Sequence, residues 1–215
     1  DQSPLTGASL QLRHQDFIDV HPRVLKWRAK SDSTGKAWAL AVDEPGKANT
    51  ALLPDDENPE HNQARSNALW GTLMAGGFGV EWYFGYASPN SDLTCEDFRS
   101  RDLFWDQNLY ALQFFEKHLP FWEMEPKDEL TNDDQSFCLA KPGKIYAIYL
   151  HHGQKTTEID LGEQKQKYHV MWYNTREGGS LQTGSVTEIT ASNGTNIGLP
   201  PAETEMDWVA IIRKK

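Results

Sequence analysis

The sequence predicts an α/β part followed by a small all-β part, and three observations carry that prediction. Before about residue 130, short apolar runs alternate with longer stretches of helical spacing, the order of a parallel α/β sheet. Beyond it, short β-rich runs are separated by Gly, Asn and Thr turns, as in an antiparallel sandwich. Within the first part, Ala37-Trp38-Ala39-Leu40-Ala41-Val42 is apolar throughout, the pattern of a strand buried on both faces. The 215 residues are 38% hydrophobic and 24% charged, ordinary for a globular chain and enough for one large or two small domains. The expected division is 1–128 and 129–215.

Taken in order, Ala8 to Leu12 reads as a short strand. Phe17 to Lys30 reads as a helix, apolar at Val20, Val24, Leu25 and Trp27. A turn at Ser33-Thr34-Gly35-Lys36 leads into the Ala37–Val42 strand, which stops at Asp43-Glu44-Pro45-Gly46. Asn58-Pro59 is expected to start a helix, with Asn as N-cap and Pro in the first turn. Ala64, Ala68, Gly71 and Ala75 would give that helix a small-residue stripe for close packing on a sheet, and Gly76-Gly77 would end it. Phe78 to Phe84 reads as the third strand. Thr94-Cys95-Glu96-Asp97 resembles a capping box opening a long helix to about His118, apolar at Phe98, Trp105, Leu109, Leu112 and Phe115. The order β-α-β-α-β-α fits either a small open α/β sheet or the tail of an eight-stranded barrel.

In the second part, candidate strands are Ser136–Ala140, Ile145–Leu150, Thr156–Leu161, Tyr168–Asn174, Ser185–Thr190 and Trp208–Arg213. Turns are marked by Pro142-Gly143, His152-Gly153, Gly178-Gly179 and Asn193-Gly194. This describes a compact antiparallel sandwich at the small end of independent domains.

The formal net charge of −10 argues against a nucleic-acid partner, because phosphate binding needs a basic patch. No apolar stretch approaches the ~20 residues that span a bilayer, so no membrane partner is expected. Cys95 and Cys138 make no metal pattern and read as free or buried thiols. The pair His151-His152 reads as a solvated turn. Gly76-Gly77-Phe78-Gly79 precedes a strand, whereas phosphate-binding loops follow one. No cofactor and no metal are expected. The 8 Trp, 7 Tyr and 9 Phe favour a carbohydrate ligand, since aromatic faces stack on sugar rings, although most of them should be core.

The chemistry centres on Asp43-Glu44, directly after a strand ending at Val42. Ligands of parallel α/β folds bind at the C-terminal ends of strands. Glycoside hydrolysis needs two carboxylates flanking the scissile bond. Adjacent residues usually point apart, so Asp43-Glu44 should supply one member of such a pair; an acidic turn is the plain alternative. Gln11 and His14 follow the first strand, and Glu81, Trp82, Tyr83 and Tyr86 end or follow the third. Together they suggest a polar, aromatic sugar cleft. Glu81, read as a buried carboxylate, would need a partner, with Arg65 and Arg99 as candidates.

The runs Trp38-Ala-Leu-Ala-Val-Asp43-Glu44-Pro-Gly46, Ala68-Leu-Trp70-Gly-Thr-Leu-Met-Ala-Gly76-Gly-Phe-Gly-Val-Glu81-Trp-Tyr83 and Leu93-Thr-Cys-Glu-Asp-Phe-Arg-Ser-Arg-Asp102 resemble the apiosidase-like group of bacterial glycoside hydrolases. From Phe137-Cys-Leu-Ala-Lys-Pro142 through Tyr173-Asn-Thr-Arg176 to Asp207-Trp208, the chain resembles the small domain that follows those barrels, labelled a "putative collagen-binding domain" of a collagenase. The resemblance implies that the first part holds strands six to eight, about three βα units, of a (β/α)8 TIM barrel. It implies Glu44, with Asp43 second, as the catalytic carboxylate at the end of strand seven. The partner acid of such barrels comes from strand four, which is absent from this sequence. The implied parent is a secreted or periplasmic bacterial hydrolase acting on polysaccharide or oligosaccharide, and this chain would be inactive without its upstream half. The alternative is a non-catalytic carbohydrate- or protein-binding module that uses aromatics such as Trp172 or Tyr173.

Overall fold

A computed structural model describes residues 4–87 and 97–215. These form two compact units, Asp1–Asn108 and Leu109–Lys215, with the division falling inside a helix.

The first unit is built on three parallel strands, β1 (Gly7–Gln11), β2 (Ala39–Asp43) and β3 (Gly79–Glu81), in that order. Helix α1 (Val20–Asp32) joins β1 to β2. The stretch between β2 and β3 contains a π-helical segment, Ala64–Trp70, continued by α2 (Gly71–Met74). Alternation along each strand sorts its residues onto two faces. Leu10, Leu12, Leu40, Val42 and Val80 pack with Val20, Val24, Ala64, Ala68 and Phe104 in the core. The opposite face carries Gly7, Ser9, Ala39, Ala41 and Gly79, small residues lining an open hollow of about 660 Å³. The Ala37–Val42 run is therefore buried on one face: Leu40 and Val42 are enclosed, while Ala39 is exposed. Its unbroken apolarity came from alanines, which pay little for exposure.

The small-residue stripe behaves as its spacing implies, since Ala64, Ala68 and Ala75 are buried against the sheet. The helix starts later than Asn58-Pro59, however. Asn58 accepts from the His61 amide in a turn, and His61 adopts a left-handed φ of 48° that interrupts helical winding until residue 62. The first helix likewise begins at Val20, because Phe17 sits in a turn with φ 59°. Of the Thr94–Asp97 capping box only Asp97 is among the described residues. Its side chain accepts from the Arg99 amide at the head of a short 3-10 turn, Phe98–Arg101. Helix α3 (Asp102–His118) follows. Its enclosed side is Phe104, Gln107, Ala111, Phe114 and Phe115; of the residues expected on the apolar face Phe115 is buried, while Leu109 and Leu112 are exposed. Spacing alone placed Phe98, Leu109 and Leu112 on the apolar side, where all three are exposed and Phe104 and Phe114 are enclosed instead.

The second unit holds a six-stranded antiparallel sheet in the order β4-β5-β6-β11-β8-β9. Its strands are β4 (Glu125–Pro126), β5 (Phe137–Lys141), β6 (Ile145–Leu150), β8 (Lys167–Asn174), β9 (Glu188–Thr190) and β11 (Trp208–Lys214). A two-stranded sheet of β7 (Glu158–Ile159) and β10 (Thr195–Asn196) is the smaller partner. Cys138, Ile148, Val170, Trp172, Ala210 and Ile212 from the large sheet share a core with Ile159 of β7 and Ile197, which directly follows β10. On the other face of the large sheet, Tyr173 packs on Phe114 at 4.9 Å and donates its hydroxyl to the Tyr110 carbonyl. Trp172 and Tyr173 are thus both buried. The exposed aromatics expected of a binding module are core residues, because β8 is covered on both sides. Cys138 is a free buried thiol whose pKa is pushed far up by burial; Cys95 lies outside the described residues. No helix among the described residues is long and apolar enough to cross a membrane.

Candidate functional site

The parallel register brings chain-distant polar residues into one row. Gln11 pairs with Asp43 across β1 and β2, and Asp43 pairs with Glu81 across β2 and β3. Partners in parallel register share a face, so these three side chains form the last layer of the small-residue face, at the C-terminal ends of the strands. Below them the face is nearly bare, with Ser9, Ala41 and Gly79 in the next layer.

Glu44 joins this row by leaving the strand. It takes a left-handed φ of 47°, a conformation that costs a non-glycine residue free energy and persists only where the surroundings fix it. Two flanking strands do so. The Glu44 amide donates to the Glu81 carbonyl at 3.2 Å, and Gln11 Nε2 donates to Glu44 Oε2 at 2.8 Å. Two residues on, the Gly46 amide donates to the Leu12 carbonyl at 2.7 Å. Gly46 has φ 100°, and a Cβ there would lie 2.9 Å from the Phe17 ring. The Asp43-Glu44-Pro45-Gly46 turn is consequently clamped over the strand ends.

The electrostatics follow from crowding. Glu81 is exposed, while Arg65 donates to the Glu60 carbonyl, Asn62 and Gln107, and Arg99 pairs with Asp97. The expectation of a buried Glu81 is corrected by its place on the open face. Its neighbour is Asp43, and a hydrogen bond between the two carboxyls, with the charges of Asp43 and Glu44 added, raises the Glu81 pKa above the usual glutamate range. Neighbouring like charges repel, which favours a proton on Glu81.

The other expected site residues divide. Tyr83 donates its hydroxyl to the Ala48 carbonyl, and the Tyr86 amide also donates to Ala48, so the segment after β3 is tied to the loop after β2. Tyr86 itself is an exposed aromatic. His14 hydrogen-bonds Asp16 in the turn after β1 and is exposed. Trp82 does not join the row. It follows Glu81 and points to the opposite face, where its ring meets Phe104 edge-on at 4.6 Å and its Nε1 donates to Asn108.

Sequence reading overlooked a pair in the loop after β2. His61 is fully enclosed, with Nε2 2.7 Å from Asp55 Oδ1, and its ring packs at a tilt of 39° on Phe104. Asp55 Oδ2 accepts from the Leu103 amide at the start of α3. Burial lowers the His61 pKa; Asp55 opposes that shift, while Arg65 and Arg101 reinforce it. An Asp and a His six residues apart in a polar loop leave no periodic signal to find.

Residues 127–213 match the profile of a family described as "Putative collagen-binding domain of a collagenase". Among solved structures, a chain titled "Glycoside hydrolase" matches with TM-score 0.61 and 16% identity, over 88% of this chain and 45% of that one. At that identity the match shows a common fold. The chain spans under half the length of that hydrolase. Comparison with curated proteins gives no match.

Proposed function

We propose that this chain is the C-terminal part of a glycoside hydrolase of the apiosidase-like group. Residues 1–128 would form about three βα units of a (β/α)8 TIM barrel, and residues 129–215 an accessory β-sandwich. The observation that carries the reading is the layer Gln11–Asp43–Glu81, with Glu44 clamped beside it, at the C-terminal ends of three parallel strands. Barrel enzymes place their chemistry at that end. Further support comes from the two outer edges of the sheet, which have no strand partner among the described residues, and from the fold shared with part of a longer glycoside hydrolase.

In this reading Glu44 is the catalytic carboxylate and Asp43 its second. Gln11, His14, Glu81, Tyr83 and Tyr86 line the cleft, with Tyr86 as the exposed aromatic against which a sugar ring would stack. Trp82 is left out because its ring and its N–H are already engaged. The second catalytic carboxylate comes from the upstream half of the protein, so residues 1–215 alone are inactive. The parent is bacterial and secreted or periplasmic, and its substrate is a polysaccharide or oligosaccharide.

The test is a screen of the longer protein against plant and algal polysaccharides, read as released reducing sugar, with Glu44→Gln beside it. Hydrolysis abolished by Glu44→Gln supports the assignment. Full activity in that variant rejects it.

A further inference from the structure

We infer that Gln11 is a positioning residue for Glu44, fixing which of its two carboxylate oxygens meets the substrate. The inference rests on the hydrolase reading and assigns within it a role distinct from contact with sugar. Its basis is the convergence of two strands on one side chain. β3 holds the Glu44 backbone through the Glu81 carbonyl, at 3.2 Å, and β1 holds the carboxylate through Gln11 Nε2, at 2.8 Å. Between these anchors the residue sits in a left-handed conformation that alternation along β2 would not give it.

The chemistry of the anchor matters as much as its geometry. Glu44 is flanked by Asp43 and Glu81, whose carboxyls repel a third negative charge. An exposed glutamate in that field would swing away from its neighbours. A glutamine amide restrains it by a charge-assisted hydrogen bond while adding no charge and taking up no proton at any working pH. With Oε2 occupied as an acceptor, attack or proton transfer falls to Oε1. Holding a reacting group in one orientation is worth far more in rate than in binding. Gln11 is well placed for this: it ends β1 in register with Asp43, and the next residue, Leu12, anchors Gly46 of the same turn.

The experiment has two arms. In the 215-residue chain, the 15N-resolved side-chain amide of Gln11 should move as carboxylates titrate, and Glu44→Gln should abolish most of that movement. An amide that titrates identically in Glu44→Gln overturns the contact. In the longer protein, assayed on whichever polysaccharide of the screen it hydrolyses, Gln11→Leu should lower kcat by about 100-fold, the scale for losing one oriented donor, with KM changed by less than about threefold. Gln11→Asn, one methylene too short to reach Glu44, should behave alike and serves if Gln11→Leu fails to fold. A raised KM with unchanged kcat would make Gln11 a sugar contact and overturn the positioning role. A longer protein that hydrolyses nothing overturns the hydrolase reading and this role with it, whereas hydrolysis with unchanged kcat in both variants overturns this role alone.

Discussion

Asp43 and Glu81 are register partners at the C-terminal ends of the parallel strands β2 and β3, so two carboxyl groups share one face of the sheet. Neither the turn after β2 nor the three-residue strand β3 would bring two acids together alone; the parallel register does so.

This pairing predicts a titration. The Glu81 pKa is raised, so in the folded protein Glu81 holds its proton to a higher pH than the ~4.3 of an unfolded glutamate. The stabilising contribution is full below that unfolded value and is lost as pH rises through the folded pKa. Asp43→Asn removes the repelling charge, so carboxyl-detected NMR should show the Glu81 pKa falling. Thermal stability should then decline less than in wild type as pH rises from about 4 to 7.

His61 should give a pH dependence of the opposite sense. Its imidazole is buried, bonded to Asp55, and has Arg65 and Arg101 as charged neighbours, and its pKa is lowered. A depressed pKa means that stability is present above the unfolded value of ~6.5 and is lost as pH falls through the folded pKa. His61→Phe should weaken that loss below pH ~6.5, at the cost of the hydrogen bond to Asp55 Oδ1. Melting temperatures of both proteins between pH 4.5 and 8 measure it.

In the second unit, Tyr149 and Thr175 both donate to Asp207 Oδ2 at 2.7 Å, with all three residues buried. Removing one donor strips a hydrogen bond from an enclosed carboxylate. Tyr149→Phe and Thr175→Val should each cost about 1–3 kcal/mol. Because the two share an acceptor, the double variant should depart from additivity by at least about 0.5 kcal/mol. Urea titrations of the single and double variants provide the values.

Gly184 tests the core around Trp172. A Cβ there would lie 2.2 Å from the Leu199 carbonyl oxygen and 2.4 Å from Trp172 Nε1. Gly184→Ala must therefore displace either the Leu199 backbone or the buried Trp172 ring. A destabilisation of about 1–3 kcal/mol is expected, visible as a lower denaturation midpoint with altered tryptophan emission.

Much of the fold was legible because its signals are local. Leu40 and Val42, the Ala64–Ala75 stripe, and the Ile145–Leu150 and Trp208–Arg213 runs each announce their element through periodicity or continuous apolarity. Legibility failed where a tertiary contact overrides a local preference. Asn58-Pro59 carries good start signals, yet burial of His61 against Asp55 delays the helix. Leu109 and Leu112 have helical spacing, but helix α3 turns Phe104 and Phe114 inward, with more apolar surface to bury. Short β4 and β10 carry too few residues to show any period. At the site, the position of Asp43-Glu44 after a strand was readable. The contacts of Glu81 with Asp43 and of Gln11 with Glu44 were not, because strand register cannot be read from either strand alone.

The most direct measurement is the rate of polysaccharide hydrolysis by the longer protein carrying Glu44→Gln. Our account predicts that hydrolysis seen in the wild type falls to background while folding, checked by circular dichroism, is retained. Wild-type turnover from a folded Glu44→Gln protein would contradict it.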